Sequence, residues 1–198
     1  MAYVLGITGG ISAGKTSAAT CLASDKTSII EVDDLARPLI QPGSICYEKL
    51  IDRFGKQICG SDGHINRQRL ANAAFATPQK TMALNDIFKE PLTDAIKLEI
   101  MQTRAKRAQL IIVVAAIMFE QGWDKLCHGV LNISAPESVR IERALRKGLT
   151  ERDIQRRLAS QLSEKERMKR SEWTIYTQQN LDDLCKKINV LAAENKWL

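Results

Sequence analysis

Apolar residues are distributed along the chain in two patterns. Five short stretches are apolar with few interruptions: Tyr3-Val4-Leu5-Gly6-Ile7-Thr8, Ser28-Ile29-Ile30-Glu31-Val32, Leu110-Ile111-Ile112-Val113-Val114-Ala115-Ala116, Gly129-Val130-Leu131-Asn132-Ile133 and Trp173-Thr174-Ile175-Tyr176. Their length predicts strands, and the unbroken run from Leu110 predicts a central parallel strand covered on both faces. Elsewhere the pattern is helical: Lys15 to Ala23, Tyr47 to Phe54, Asn66 to Phe75, Gln79 to roughly Arg107, segments starting at Pro136 and near Glu151, and Leu181 to Ala193. The last of these places Leu184, Ile188, Leu191 and Ala192 at helical spacing. Pro91 is expected to kink or split the longest helix.

Strands alternating with helices predict an α/β fold with a parallel sheet. Three helices between the second and third strands exceed a plain crossover. They predict an inserted, substrate-holding subregion, with a turn at Asp62-Gly63. The second strand runs into an acidic pair, Asp33 and Asp34. Asp34 suits the N-cap of a helix starting at Leu35, which leaves Asp33 for chemistry. Ligands of open α/β sheets bind at the carboxyl ends of strands, so a carboxylate there is placed to accept a proton from an attacking hydroxyl or to help hold a metal. Glu120 follows the third strand and is read either as a second such carboxylate or as the structural partner of a nearby base.

Between the first strand and its helix stands Gly9-Gly10-Ile11-Ser12-Ala13-Gly14-Lys15-Thr16, a full match to the phosphate-loop pattern GxxxxGK[ST] in its strand-loop-helix setting. Its glycines let backbone N–H groups turn toward phosphate oxygens, Lys15 reaches the β- and γ-phosphates, and the Thr16 hydroxyl is an Mg²⁺ ligand. The expected ATP-binding set is Ser12, Ala13, Gly14, Lys15, Thr16 and Ser17.

Composition narrows the class further. A chain of 198 residues with 44% hydrophobic and 26% charged content is ordinary for one soluble domain with appendages. No apolar run approaches the roughly 18 residues of a membrane span, and the N-terminus lacks the basic region of a secretory signal. A cytoplasmic protein with no membrane partner is expected. The five cysteines, Cys21, Cys46, Cys59, Cys127 and Cys185, are odd in number and never spaced as CxxC, so they are read as reduced and structural. His64 and His128 offer no ligand spacing with them, and no metal other than the nucleotide's Mg²⁺ is expected. Of the net charge of +6, +5 lies between Glu137 and Arg170, where eleven basic residues face six acids. Such a region suits a lid closing over a polyphosphate or a nucleic-acid backbone, and the mixed charges of a solvated helix face explain many of the same residues. No aromatic residue interleaves it before Trp173, which disfavours single-strand stacking, and no nucleic-acid partner is expected.

These segments together are specific. The succession VLGITGGISAGKT, EVDDLARPLIQPG, FG, DGHINRQRL, FE and a basic region ending in ASQ resembles the dephospho-coenzyme A kinase family in order and spacing over nearly the whole chain. The resemblance implies a P-loop NTPase-type three-layer fold with a five-stranded parallel sheet, a helical substrate-binding insertion and a helical lid. It implies a core of residues 1–34, 108–136 and 171–198, a coenzyme-A-binding insertion at about 35–107, and a lid at about 137–170. The implied activity is transfer of the γ-phosphate of ATP, with Mg²⁺, to the ribose 3′-hydroxyl of dephospho-coenzyme A. On the family's motifs Asp33 is the proton acceptor, Arg37 and Arg67 join Asp33 and Glu120 as substrate-binding residues, and Gln161 is a lid glutamine. The lid's QxxR pattern aligns in two registers over Val139, Arg140, Glu142 and Arg143. The phosphate-facing arginine is therefore one of Arg140, Arg143 and Arg146, with Arg143 taken as catalytic beside Lys15 and Asp33, and Arg140 and Arg146 kept as lid candidates.

The chain departs from the family at Ala13 in the loop, at Glu31 before Asp33, at Glu90-Pro91, at Ala116 to Met118, and at Thr177 where a late asparagine is usual. Ala13 removes only a side chain from a loop that works through its backbone; the other changes fall on the acceptor pocket and the adenine contacts more than on phosphate binding. The expected mechanism is in-line transfer through a loose transition state, with Lys15, Mg²⁺ on Thr16 and a lid arginine neutralising charge while closure excludes water. The alternative is a P-loop kinase for another small acceptor such as a nucleoside or nucleotide. A guanine-nucleotide switch is disfavoured: Asp52-Arg53-Phe54-Gly55 matches DxxG but ends a helix, and Asn195 to Leu198 lacks the aspartate of NKxD. A nucleic-acid-binding ATPase is disfavoured as well. A monomer or weak homo-oligomer is expected.

Overall fold

The computed structural model describes residues 2–178 and 180–197. Five strands, β1 (Tyr3–Thr8), β2 (Thr27–Glu31), β3 (Leu110–Val114), β4 (Gly129–Ser134) and β5 (Trp173–Tyr176), form one sheet in the order β2-β3-β1-β4-β5. Every pairing is parallel: Tyr3 and Ile7 face Leu110 and Val114, Leu5 faces Gly129, and Leu131 faces Trp173. The expected five-stranded parallel sheet is therefore present. All five residues of β3 and all six of β4 are buried, which is why their sequence runs apolar instead of alternating.

The chain divides into two compact units, Met1–Glu31 with Lys97–Leu198, and Val32–Ile96. In the first, α1 (Lys15–Cys21) and α10 (Leu181–Glu194) lie against each other. Leu5, Ile7, Leu110, Ile112, Leu131 and Ile133 pack there with Ala18 and Leu22 beside α1, with Leu184 and Ile188, and with Trp197. Burying each such aliphatic side chain is worth about 1.5–3 kcal/mol. The same unit holds α6 (Met118–Gln121) and the basic region as three short helices, α7 (Glu137–Arg146), α8 (Glu151–Ser160) and α9 (Glu164–Arg170). Thr150 and Ser163 cap α8 and α9 by accepting the N–H groups of Asp153 and Glu166.

Cys21 and Cys185 are joined by a disulfide across α1 and α10, with Cα atoms 5.0 Å apart. The expectation that every cysteine is a free thiol is thus corrected. The pairing depends on two helices meeting from positions 164 residues apart, which spacing along the chain does not reveal. Among the described residues Cys46, Cys59 and Cys127 are free.

The second unit contains α2 (Val32–Leu39), α3 (Ile45–Phe54), α4 (Arg67–Ala74) and the first part of α5 (Pro78–Ala105). Its own core is Leu50, Phe54, Ile58, Ile65, Leu70 and Ala74. Ser44 and Asn66 cap α3 and α4. The turn at Asp62-Gly63 forms as expected, closed by Gly60 N–H donating to the His64 carbonyl at 2.8 Å. One local expectation fails and another is narrowed. β2 passes into α2 with no intervening loop, so Asp33 and Asp34 both lie in the first helical turn, where carboxylates complement the helix dipole, and Asp34 is not the cap. α5 also runs through Pro91 unsplit. A proline has no N–H for the carbonyl four residues earlier, and that carbonyl, on Ile87, accepts from the Cys46 thiol at 3.7 Å.

Candidate active site

The phosphate loop leaves β1, the middle strand of the sheet, and returns into α1. At Gly9, with φ at +153°, a Cβ would collide with the Ile133 carbonyl of β4, so the loop's first turn is closed to other residues. Ser12 adopts φ +53° and Gly14 φ +105°, a left-handed conformation that a serine rarely takes. Lys15 folds back over the loop, its Nζ donating to the carbonyls of Gly9 at 3.1 Å and Gly10 at 3.2 Å. Ala13 is buried, whereas Thr16 and Ser17 are exposed on the first turn of α1.

Ile11, at the crest of the loop, packs with Ala144 of α7 and Ile154 of α8. Its N–H donates to Gln161 Oε1 at 3.1 Å. The segment carrying Gln161 is itself held. Leu162 N–H donates to Glu120 Oε1 at 2.7 Å, and the Leu162 carbonyl accepts from Arg167 Nη1. The basic region is thus packed and hydrogen-bonded onto the loop.

Its arginines take distinct places. Arg140 is buried, with a side chain 5% exposed; its Nε donates to the Ala135 carbonyl at 3.1 Å and its buried Nη1 has no hydrogen-bond partner among the described residues. A Cβ added at Gly10 would run into that Nη1 and lie 3.1 Å from Nη2 of Arg167. Two guanidiniums therefore flank the second glycine of the loop. Arg167 Nη2 bonds Glu164 Oε2 at 2.9 Å, and Asn132 of β4 donates to Glu164 Oε1 at 2.9 Å. Burial alone would raise the Glu164 carboxyl, but hydrogen bonds from Asn132, Arg167 and Ser134 and the charge of Arg167 outweigh it and hold the group below its ordinary value. Arg140 is lowered from its ordinary value by burial; Glu164 is the leading charge opposing this, and Arg167 adds to the lowering.

Arg143 and Arg146 stand elsewhere. They line a cleft of about 350 Å³ with Ser12, Gly14, Ser17 and Thr177. Arg143 Nη2 donates to the Gln178 carbonyl at 2.7 Å, and the exposed Arg146 pairs with Glu142. Thr177 is buried, its N–H donating to the Ser134 carbonyl at 2.8 Å.

Asp33, Arg37 and Arg67 belong to the Val32–Ile96 unit. Asp33 and Arg37 share α2, both exposed, and Arg37 pairs with Asp34 at 2.8 Å. Arg67 opens α4 and is exposed.

Of the residues expected from the sequence, the first unit brings Lys15, Arg140, Gln161 and Glu120 into one connected arrangement around the loop. Sequence reasoning missed Glu164, Arg167 and Asn132 as parts of it. The only signal was the local excess of charge, which does not distinguish a buried arginine from a solvated one. Among the described residues no group of three or more His, Cys, Asp and Glu comes together to hold a metal ion. Thr16 is exposed, and its hydroxyl is a hard oxygen donor of the kind Mg²⁺ takes alongside substrate phosphates.

The family model described as CoaE, dephospho-CoA kinase, matches residues 3–183. A dephospho-CoA kinase of Lactobacillus johnsonii is 32% identical over 195 residues, covering 98% of each chain. A crystal structure from Thermus thermophilus is 28% identical with a TM-score of 0.78, over 98% of this chain and 97% of its own. A dephospho-CoA kinase from Campylobacter jejuni shares the fold with a TM-score of 0.68 at 22% identity, over 98% and 97%.

Proposed function

The chain belongs to the dephospho-CoA kinase family, the ATP-dependent kinases of the last step of coenzyme A synthesis, and from this premise we propose which residues do the work. The reaction passes the γ-phosphoryl group of ATP to the ribose 3′-hydroxyl of dephospho-coenzyme A. Backbone N–H groups of the Gly9 to Thr16 loop cradle the phosphates, and Ser17 lines the same cleft. Lys15 neutralises charge on the β- and γ-phosphates. Thr16 would hold Mg²⁺, which supplies further charge neutralisation across those phosphates. Asp33, two residues beyond β2, orients the 3′-hydroxyl and takes its proton as the new P–O bond forms. Arg37 and Arg67, exposed on the Val32–Ile96 unit, bind the acceptor's own phosphates, which makes that unit the acceptor-holding part.

The phosphate-facing arginine is assigned to Arg140 in place of Arg143. The observation that carries this is the convergence on Gly10: Lys15 Nζ reaches its carbonyl at 3.2 Å, and the partnerless Nη1 of Arg140 is the atom nearest its Cβ position. A loose phosphoryl-transfer transition state spreads charge over equatorial oxygens, so cations preset around it stabilise it with little reorganisation. Arg143 and Arg146, in the cleft with Thr177, serve the nucleoside end. Glu120, engaged by Leu162 N–H, acts through the Gln161 segment and not on the acceptor directly. A cytoplasmic location and a monomer or weak homo-oligomer complete the reading.

The test is ADP release in a coupled assay with ATP, Mg²⁺ and dephospho-coenzyme A, the product's phosphate position being read by phosphorus NMR. Turnover dependent on dephospho-coenzyme A is expected, with Arg140→Lys losing far more kcat than Arg143→Lys. The reverse ranking would return the role to Arg143.

A further inference from the structure

Two buried guanidiniums side by side are unfavourable on two counts: each loses hydration, and they repel. Arg140 and Arg167 nevertheless flank Gly10, with side chains 5% and 3% exposed. Glu137 contributes little to holding them, since it is 64% exposed and 3.6 Å from Arg140 Nη2. The compensating charge is Glu164. Both its oxygens are engaged, Oε1 by Asn132 Nδ2 and Oε2 by Arg167 Nη2, each at 2.9 Å. Asn132 sits in the fully buried β4, so the carboxylate is tethered to the sheet and not only to its own short helix. Arg167 in turn holds the Leu162 carbonyl next to Gln161, which accepts from the loop at Ile11. The chain of contacts runs from β4 through Asn132, Glu164 and Arg167 to the loop.

We propose that Glu164 is a positioning residue of the transfer reaction: anchored by Asn132, it keeps Arg167 and Arg140 together against Gly10, leaving Arg140 Nη1 free to meet the transferred phosphoryl group. The inference rests on the assignment of Arg140 above. It predicts that Glu164 acts on kcat through arginine placement and does not touch either substrate. Depression of the Glu164 carboxyl by its donors, and its leading place among the charges favouring Arg140, agree with that placement.

A double-mutant cycle tests it. Glu164→Gln replaces one acceptor by a donor facing the Asn132 and Arg167 donors, and should lower kcat about tenfold while KM for dephospho-coenzyme A stays within about twofold. Combined with Arg140→Lys it should fall no more than about twofold below Arg140→Lys alone, because coupled residues do not add. A merely structural role would lower the active fraction and so reduce apparent kcat with KM unchanged; kcat is therefore taken per active site by titration, with thermal midpoints recorded alongside, and a loss that vanishes on that normalisation overturns the proposal. If Arg140→Lys keeps full kcat, the assignment of Arg140 fails. If Arg140→Lys is impaired while Glu164→Gln is not, or the two losses multiply, Glu164 has no positioning role and the assignment of Arg140 stands. Should Glu164→Gln not fold, Glu164→Asp enters the same cycle; it should lose about threefold in kcat without adding to Arg140→Lys, and a multiplying loss overturns the proposal there as well.

Discussion

Gln161 Oε1 accepts the backbone N–H of Ile11 at 3.1 Å, joining the end of α8 to the crest of the phosphate loop across 150 residues of sequence. Gln161→Ala would leave that N–H and the loop's crest unheld. KM for ATP should rise about fivefold, the range of one lost hydrogen bond, with little change in thermal midpoint. An unchanged KM would show that the bond does not pre-set the loop.

Lys15 Nζ bridges the Gly9 and Gly10 carbonyls, and the proposed reaction has it exchange them for phosphate oxygens. Lys15→Ala should lower kcat/KM at least about hundredfold, the scale of losing one preorganised charge at a transition state. Full turnover in this variant would remove the loop from the mechanism.

Asp33 in the first turn of α2 is assigned the acceptor proton. Asp33→Asn should reduce kcat about hundredfold, within the range for loss of a general base, and leave the ATP KM unaltered. Normal kcat would move that role to another carboxylate.

Glu164 has a folded-state pKa below its ordinary value of 4.5. A depressed carboxylate contributes stability that is fully present above the unfolded-state value and lost as pH falls through the folded one. Urea midpoints should therefore drop for the wild type on acidification below about pH 4.5 more steeply than for Glu164→Gln. Parallel curves would mean that the carboxylate is not held by its donors.

The Cys21–Cys185 bond closes a loop of 164 residues and fastens α1 to α10. Its reduction should cost about 3 kcal/mol, or roughly 10 °C in thermal midpoint for a chain of this size. Cys185→Ser should show the same loss without reductant. A midpoint insensitive to both would show that packing between the helices suffices. A reducing cytoplasm would hold the pair as thiols.

Much of the architecture was legible because burial writes itself into composition. β3 is buried on both faces and reads as an unbroken apolar run, and two β-branched residues between aromatics mark Trp173–Tyr176 as a strand. The loop was legible because its backbone geometry admits few residues, as Gly9 against the Ile133 carbonyl illustrates. What escaped depends on partners distant in sequence. Pro91 reads as a break until Cys46 supplies a donor to Ile87. The acidic pair after β2 suits a cap and a first turn equally well, and only the missing loop decides. Arg140, Arg143 and Arg146 stand three residues apart on α7, so only about 60° of rotation separates the buried Arg140 from Arg143 in the cleft. Glu164 resembles any carboxylate on a mixed-charge helix until Asn132 and Arg167 meet it.

The strand order also sets where the molecule can loosen. β2 and β5 are each paired on one side only, while β1 is paired on both, with β3 and β4. Amide hydrogens of β2 and β5 should exchange with solvent deuterium first and those of β1 last. The phosphate loop would then hang from the slowest-exchanging strand, and the sheet could breathe at both ends without moving the anchorage of the loop.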